Sequence, residues 1–351
     1  MEMQCDKKKV LSFQGLRGFA IILIMLSHCD YVMNDYGNNI FMYFGGLGVQ
    51  LFIMLSGFLA YYNFIFYDSK SLRLVLKDKL RKIYPLHIIT LIVSLPLCIT
   101  LFTGNEVLKN GVKLILNVLL LNTWIPRMDF YFSFNAVSWY LALVVFFILI
   151  TSTVVRILEK INNKFFLIVI MIVIVLGEFL WAYVVSGDSM AHWLIYVCPI
   201  VRSFDFVNGA IVCKIVKDIE YKNNMVGMGI VGILIGCSGI LCSSLNRADE
   251  MYLVAFWSIP SVVLIGLLYL GEGDSRIVNI IFKNPILVFI GNISFELFLI
   301  HQLVIRYVRG IYGKIGLEKS FLLYALAIVI AVVVSWCYKL SSKQVHISKN
   351  N

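Results

Sequence analysis

The sequence predicts an all-α, polytopic transmembrane helical bundle of about ten spans, on three observations. The 351 residues are 60% hydrophobic and only 14% charged, with mean hydropathy +0.87, a balance that no water-soluble domain of ordinary size sustains. Apolar runs of about 20 residues, the length of helix that crosses roughly 30 Å of hydrocarbon, recur from end to end. Basic residues gather in alternate connections between those runs, as the positive-inside rule requires. A single integral-membrane domain is therefore expected over residues 1–351, with its core at about 11–340.

In order, the spans fall near 13–33, 44–66, 83–103, 137–156, 165–185, 192–213, 225–243, 251–270, 286–306 and 320–339. The first, Phe13 to Met33, is long and has no small-residue cleavage site behind it, so it is expected to remain as a signal anchor. The segment 112–125 is apolar but short for a crossing and holds Asn117 and Asn122, which suits a re-entrant or interfacial helix. Leaving it non-spanning puts the N-terminus, the 67–82, 157–164, 214–222 and 272–284 loops and the C-terminal tail together in the cytoplasm. With Arg156 at one edge, those regions hold 20 of the 30 Lys and Arg, the outer loops hold 8, and Arg17 and Arg202 lie inside spans. A full crossing at 112–125 would instead send Arg156, Lys160, Lys164, Lys214, Lys217 and Lys222 outside. One outer loop departs from the trend with Arg306, Arg309, Lys314 and Lys319. It reads either as tolerated variation or as attraction for an anionic glycan or lipid-linked diphosphate.

Composition also excludes some classes. The net charge of +10 is spread over short loops rather than clustered on one module, so nucleic acid is not an expected partner. The eight cysteines, at 5, 29, 98, 198, 213, 237, 242 and 337, show no CxxC or Cys/His ligand spacing. Neither a disulfide framework nor a metal site is expected, and small core residues are the simpler reading.

Ionisable groups inside a span are costly, so each is a candidate for function. Arg17 and His28 are eleven residues apart, roughly three helical turns plus about 20°, and so share one face with about 16 Å between them along the axis. A planar cation at the cytoplasmic mouth suits phosphates, and an imidazole deeper in the bundle takes up a proton near neutral pH. The structural alternative is a snorkelling Arg17 and a hydrogen-bonded core His28. Ser294 and His301, seven residues apart, also share a face, from which Glu296 points away. His301 and His28 both lie toward the outer end, where they are expected to line one outward-leaning cavity. Asp30 lies about 200° round the helix from His28 and is expected at the outer surface. The run Gly45-Gly46-Leu47-Gly48-Val49-Gln50-Leu51-Phe52, with Ser56-Gly57-Phe58 behind it, brings small residues for close helix contact and a hydroxyl to bond across it. The densest basic patch, Lys70, Arg73, Lys77, Lys79, Arg81 and Lys82, precedes Pro85; orientation alone or contact with an anionic cytoplasmic cofactor explains it equally.

At these residues the sequence resembles the acyltransferase-3 family of bacterial integral-membrane acyltransferases, many of which O-acetylate surface polysaccharides, lipopolysaccharide or peptidoglycan. QGLRGFAIILIMLSH resembles the opening signature, which falls on Arg17 and His28. GVQLFIMLSGFL resembles the second-span signature, Gly48 to Leu59. KDKLRKIYPLH is similar to the basic stretch before the third span, with Lys79 and Lys82 where arginines are usual. GNISFELFLIHQLVI resembles the late signature that falls on Ser294 and His301, and VRSFDFVNGAIV, around Arg202, Asp205 and Gly209, is a fainter match. Two departures stand out. At Trp139 the chain reads Trp-Tyr-Leu-Ala-Leu-Val, without the glutamate of many members, and lysine at 79 and 82 keeps charge but loses bidentate geometry.

The resemblance implies a bundle of about ten spans in the bacterial cytoplasmic (inner) membrane and acetyl-coenzyme A, or another acyl-coenzyme A, as donor. It puts Arg17 and His28 at the centre of transfer and Arg17, Lys79, Arg81 and Lys82 on the donor. The acceptor is expected to be a surface polysaccharide or lipid-linked sugar, with Ser294, His301, Ser56 and Trp139 as candidates for holding it or the oxyanion. His28 serves either as general base or as covalent carrier. Partners beyond substrates are the bilayer and, unresolved by sequence, a homo-oligomer. A transporter or flippase is the rival reading; it would favour two related halves, and no second copy of the Arg-to-His signature is found.

Overall fold

A computed structural model describes residues 10–33, 40–66, 72–102, 106–219, 225–244, 252–273, 275–316 and 321–348. Expectations that concern Cys5, Lys70, Lys222 or Lys319, and the side chains of Asp30, Arg73 and Cys242, lie outside these. Every regular element among the described residues is helical: α1 (Ser12–Met33), α2 (Ile40–Phe66), α3 (Leu72–Ser94), α4 (Val107–Val118), α5 (Met128–Tyr131), α6 (Trp139–Glu159), α7 (Lys164–Val184), α8 (Pro199–Val216), α9 (Met225–Ser244), α10 (Tyr252–Leu270), α11 (Arg276–Ile281), α12 (Pro285–Asn292), α13 (Ser294–Lys314) and α14 (Phe321–Ser348), with short 3₁₀ and π turns between some of them.

Seven segments are long and apolar enough to cross a bilayer: Ser12–Cys29, Phe44–Ile65, Leu74–Cys98, Ala136–Glu159, Lys164–Val184, Trp193–Val216 and Phe321–Ser342. They coincide with the first six expected spans and the last. Two more expected spans correspond to shorter apolar helices, Gly227–Ser238 and Val254–Leu270.

The expected span 286–306 is not one straight helix. It is the pair α12 and α13, bent by 76° at Ile293 (φ −101°, ψ 8°). Beyond the bend α13 runs on to Lys314, so Arg306, Arg309 and Lys314 stand on a helix rather than in a loop. The expected 67–82 loop likewise becomes helical from Leu72, because Leu, Lys and Arg are good helix formers and α3 continues through Pro85.

At the start of α1 the carboxylate of Glu272 accepts from Leu11 N (2.8 Å) and Ser12 N (3.1 Å), satisfying two of the donors a helix N-terminus leaves open. From there Phe13, Leu16, Ala20, Ile21, Ile24 and Met25 are buried at helical spacing. Two apolar clusters stack along α1, one around Phe13 and Leu16 with α2, α8 and α10, the other around Ile21 and Ile24 with α6 and α13.

The α2–α8 contact is closest at Gly57 and Gly209. A Cβ at Gly57 would lie 1.9 Å from Phe206 O, and one at Gly209 1.9 Å from Met54 O, so only glycine allows the backbones this near. Above this contact lies a buried polar cluster. Arg202 pairs with Asp205 at 2.8 Å and donates to Gln50 Oε1 at 2.7 Å. Gln50 Nε2 in turn bonds Asp205 and Ser258, and the Ser258 hydroxyl donates to Glu178 at 2.5 Å.

The segment expected to be re-entrant or interfacial forms the 12-residue α4, about 18 Å long and too short to cross. Its polarity is inverted. Asn110, Lys113 and Asn117 are buried, whereas Leu108, Val112 and Ile115 are exposed. The apolar face therefore turns outward, as a lipid environment demands, and the polar face bonds inward. Asn117 Nδ2 donates to Ser133 Oγ (2.7 Å), and Asn117 O is 2.9 Å from His87 Nε2.

Candidate active site

The half of the bundle at the C-terminal end of α1 holds a cavity of about 1010 Å³. Its wall comes from α1, α13, the segment 128–139 and the turn before α8. His28, Trp139, His192, Gln302 and Arg306 are among its lining residues.

His28 lines this cavity, whereas His301 is buried behind it and is not among the lining residues, so the two imidazoles do not both line it as expected; they meet each other instead. Each Nδ1 lies against the carbonyl one turn earlier in its own helix, His28 on Ile24 O at 2.8 Å and His301 on Leu297 O at 2.9 Å. A carbonyl only accepts, so both protons sit on Nδ1 and each Nε2 is left with a free lone pair. His301 Nε2 is 3.3 Å from His28 Nδ1, and the rings meet edge-on with centroids 5.0 Å apart. The Nδ1–H of His28 is thus shared between Ile24 O and His301 Nε2. When His28 takes a proton on Nε2, both acceptors stabilise the imidazolium. The logic is that of a base oriented by a third group, with an imidazole in place of a carboxylate.

Phe52, Tyr140 and Phe298 form an aromatic cluster beside this pair, with centroid separations of 5.2 to 6.2 Å, and Phe298 is 6.1 Å from His301. Tyr140 Oη lies 3.5 Å from Ser56 Oγ, and Ser56 donates to Phe52 O at 2.7 Å.

The other candidates divide by depth. Arg17 stands half-buried near the opposite end of α1, within electrostatic range of Lys79 on α3 and of Tyr140. Lys79 and Lys82 are three residues apart and share a face of α3, which turns Arg81 away from them. Trp139 lines the cavity, tilted against Tyr196 at 5.0 Å. Ser294 is buried at the bend, about 10 Å along α13 from His301. Neither Ser294 nor Ser56 lines the cavity. Glu296 pairs with Lys339 of α14 at 3.3 Å, facing away from the histidines as its position on the helix implied.

Of the ionisable lining residues, His192 and Asp129 escaped the sequence reading, whereas Arg306 was expected in a loop. His192 Nδ1 is 3.1 Å from Tyr131 Oη, and the two rings stack at 5.8 Å. As a histidine at the edge of an apolar run, it carried the same signal as His28. Arg306 donates from Nη1 to Phe134 O at 2.8 Å and from Nη2 toward Cys98 Sγ at 3.6 Å. Phe134 has φ +58°, a left-handed backbone that sequence pattern does not announce. At the cavity edge Asp129 binds Lys113 at 2.8 Å, Lys109 at 3.3 Å and Arg127 at 3.1 Å. Partial burial pushes its carboxyl pKa up, but those three cations more than offset this and hold it at about 2.

Comparison with known proteins identifies the family. The acyltransferase domain of the acyltransferase-3 family matches residues 10–340. An acyltransferase of Streptomyces mycarofaciens, MdmB, is 24% identical over 334 residues, covering 88% of this chain and 83% of the relative. A Staphylococcus aureus (strain COL) protein, provisionally named an O-acetyltransferase, is 25% identical over 342 residues, covering 90% of this chain and 54% of its own length. The chain therefore spans about half of that relative. No solved structure matches. With its signature residues gathered in one membrane-type helical bundle and the family's domain matched from end to end, the chain belongs to the acyltransferase-3 family and is an acyltransferase for groups other than amino-acyl groups.

Proposed function

We propose that this protein spans the bacterial cytoplasmic membrane about ten times, with both termini inside. It moves an acyl group, acetyl in the first instance, from cytoplasmic acyl-coenzyme A to a hydroxyl of a cell-surface glycan or its lipid-linked precursor. The observation that carries this reading is His28 Nδ1 at 3.3 Å from His301 Nε2, with His28 lining the cavity, Arg17 toward the other end of α1, and Lys79 and Lys82 on α3.

Arg17, Lys79 and Lys82 would hold donor phosphates at the inner face, leaving the thioester arm to run about 16 Å along α1 to His28. There the acceptor oxygen attacks the thioester carbonyl carbon while its proton passes to His28 Nε2. The resulting imidazolium is held by Ile24 O and His301 Nε2. When the C–S bond breaks, the leaving sulfur takes that proton back, so ester and free thiol form with no net proton change.

Mass spectrometry of surface glycans from cells carrying the wild-type chain, His28→Ala or neither tests the proposal. Alkali-labile acetyl esters present only with the wild type support it. The same ester content in all three, with both proteins expressed, rejects it.

A further inference from the structure

We propose that the acceptor bound in the outer cavity carries a phosphate or diphosphate, which Arg309 and Lys314, with Arg306 behind them, hold while the hydroxyl to be acylated lies at His28. The inference rests on the transferase reading of the same cavity and adds the chemistry of its acceptor.

Charge balance is the first observation. The lining contains Lys113, Arg306, Arg309 and Lys314 but a single carboxylate, Asp129. That carboxylate is already occupied by Lys109, Lys113 and Arg127. Among the described residues, Arg309 and Lys314 have no carboxylate partner. Membrane topology does not explain them either, because in the proposed orientation they lie on the outer side, against the positive-inside trend. Uncompensated cations in an apolar-walled cleft focus their field on whatever enters.

Placement is the second. Gln302, Arg306, Arg309 and Gly313 follow one another at four, three and four residues, so they make one stripe along α13, and all four line the cavity. Gln302 Oε1 is buried and accepts no hydrogen bond among the described residues, leaving an acceptor for a hydroxyl beside the histidines. Arg309 lies eight residues beyond His301, about 12 Å along the axis. A sugar phosphate therefore fits with its hydroxyl at the histidine end and its anionic group on the cations. Three cations between Arg306 and Lys314, about 12 Å of helix, suit the multiple charge of a phosphate or diphosphate better than the single charge of a sugar carboxylate.

The test is binding, with no donor present. The full-length wild type and an Arg309→Gln/Lys314→Gln variant are placed in phosphatidylcholine nanodiscs. Each is titrated with geranyl diphosphate, glycerol phosphate, glucuronate and geraniol. Saturable binding of a phosphate probe by the wild type is expected. It should weaken roughly tenfold or more in the variant, as expected for two lost charged contacts, and on raising salt from about 0.05 to 0.5 M. Preference for geranyl diphosphate points to a lipid-linked acceptor; preference for glycerol phosphate points to a phosphate-bearing polymer. No saturable binding of either phosphate, equal binding by the variant, or glucuronate or geraniol bound as tightly overturns the inference. The ester content of surface glycans from cells carrying the wild type, His28→Ala or neither tests the transferase reading separately, so the two fail independently.

Discussion

His301 Nε2 sits 3.3 Å from His28 Nδ1, across two helices that are 273 residues apart in the chain. In the proposed mechanism His28 handles the proton, and His301 acts through it by accepting from its Nδ1. His28→Ala should therefore lower transfer by about 10² to 10⁴-fold, the usual worth of a positioned base. His301→Gln keeps an acceptor for the His28 proton and should retain more activity than His301→Ala, which removes it. The pH profile of kcat should shift in His301→Ala because the imidazolium loses a partner. Equal rates and identical profiles for the two His301 variants would remove the positioning role.

Arg17 offers two parallel donors, and lysine offers a point charge. Arg17→Lys is expected to raise the KM for acyl-coenzyme A several-fold with a smaller change in kcat, and Arg17→Gln to raise it further. Steady-state kinetics in nanodiscs check this. A fall in kcat alone, with KM for the donor unchanged, would place Arg17 elsewhere in the reaction.

Much of this arrangement is legible in the sequence because the signatures fix helix faces. The eleven-residue step from Arg17 to His28 and the position of His301 in the ninth expected span are enough to put both imidazoles toward one end of the bundle. The 76° bend at Ile293 is not legible, since nothing in Gly291-Asn292-Ile293 excludes a straight helix. Nor is the extension of α13 that carries Arg309 and Lys314 into the cavity wall. The length of α4 and its asparagines mark it as non-spanning, but its buried polar face depends on His87 and Ser133, partners that only tertiary structure supplies. Ser294 shows the limit of helical spacing in the other direction: it shares a face with His301 yet stands at the bend, away from the cavity.

Asp129 gives a pH signature. Its folded pKa of about 2 lies below the ordinary carboxylate value of about 3.9. The stability it contributes is therefore complete above about pH 5 and lost as pH falls through 4 toward 2. Its side chain is 39% exposed, so screening keeps the effect modest. Thermal unfolding at pH 7 should show Asp129→Asn below the wild type, with the gap roughly halved by about pH 3 and closing only below about pH 2. A gap that persists unchanged at low pH would show that charge is not its origin.

Gly57 and Gly209 hold α2 against α8. Alanine at either position drives a methyl group into a backbone carbonyl 1.9 Å away, and relieving that overlap should cost about 1–3 kcal/mol. Thermal melts in detergent are expected to fall for each single variant. The double variant should fall by less than the two losses combined, because one separation of the helices relieves both clashes.

Arg202 anchors the buried cluster of Gln50, Asp205, Ser258 and Glu178. Arg202→Met strands Asp205 in an apolar interior and should cost about 3–5 kcal/mol. Arg202→Met/Asp205→Leu removes both charges and should recover part of that loss. A double variant less stable than Arg202→Met would show that Asp205 has other essential partners.

Thiol release from acetyl-coenzyme A by the purified chain in nanodiscs, with an acceptor that the wild type acylates, is the most direct measurement of the central claim. Wild type should release one free thiol per ester formed, and His28→Ala should fall by at least about 10²-fold while binding the donor unchanged. Transfer at the wild-type rate by correctly folded His28→Ala would contradict proton handling at His28.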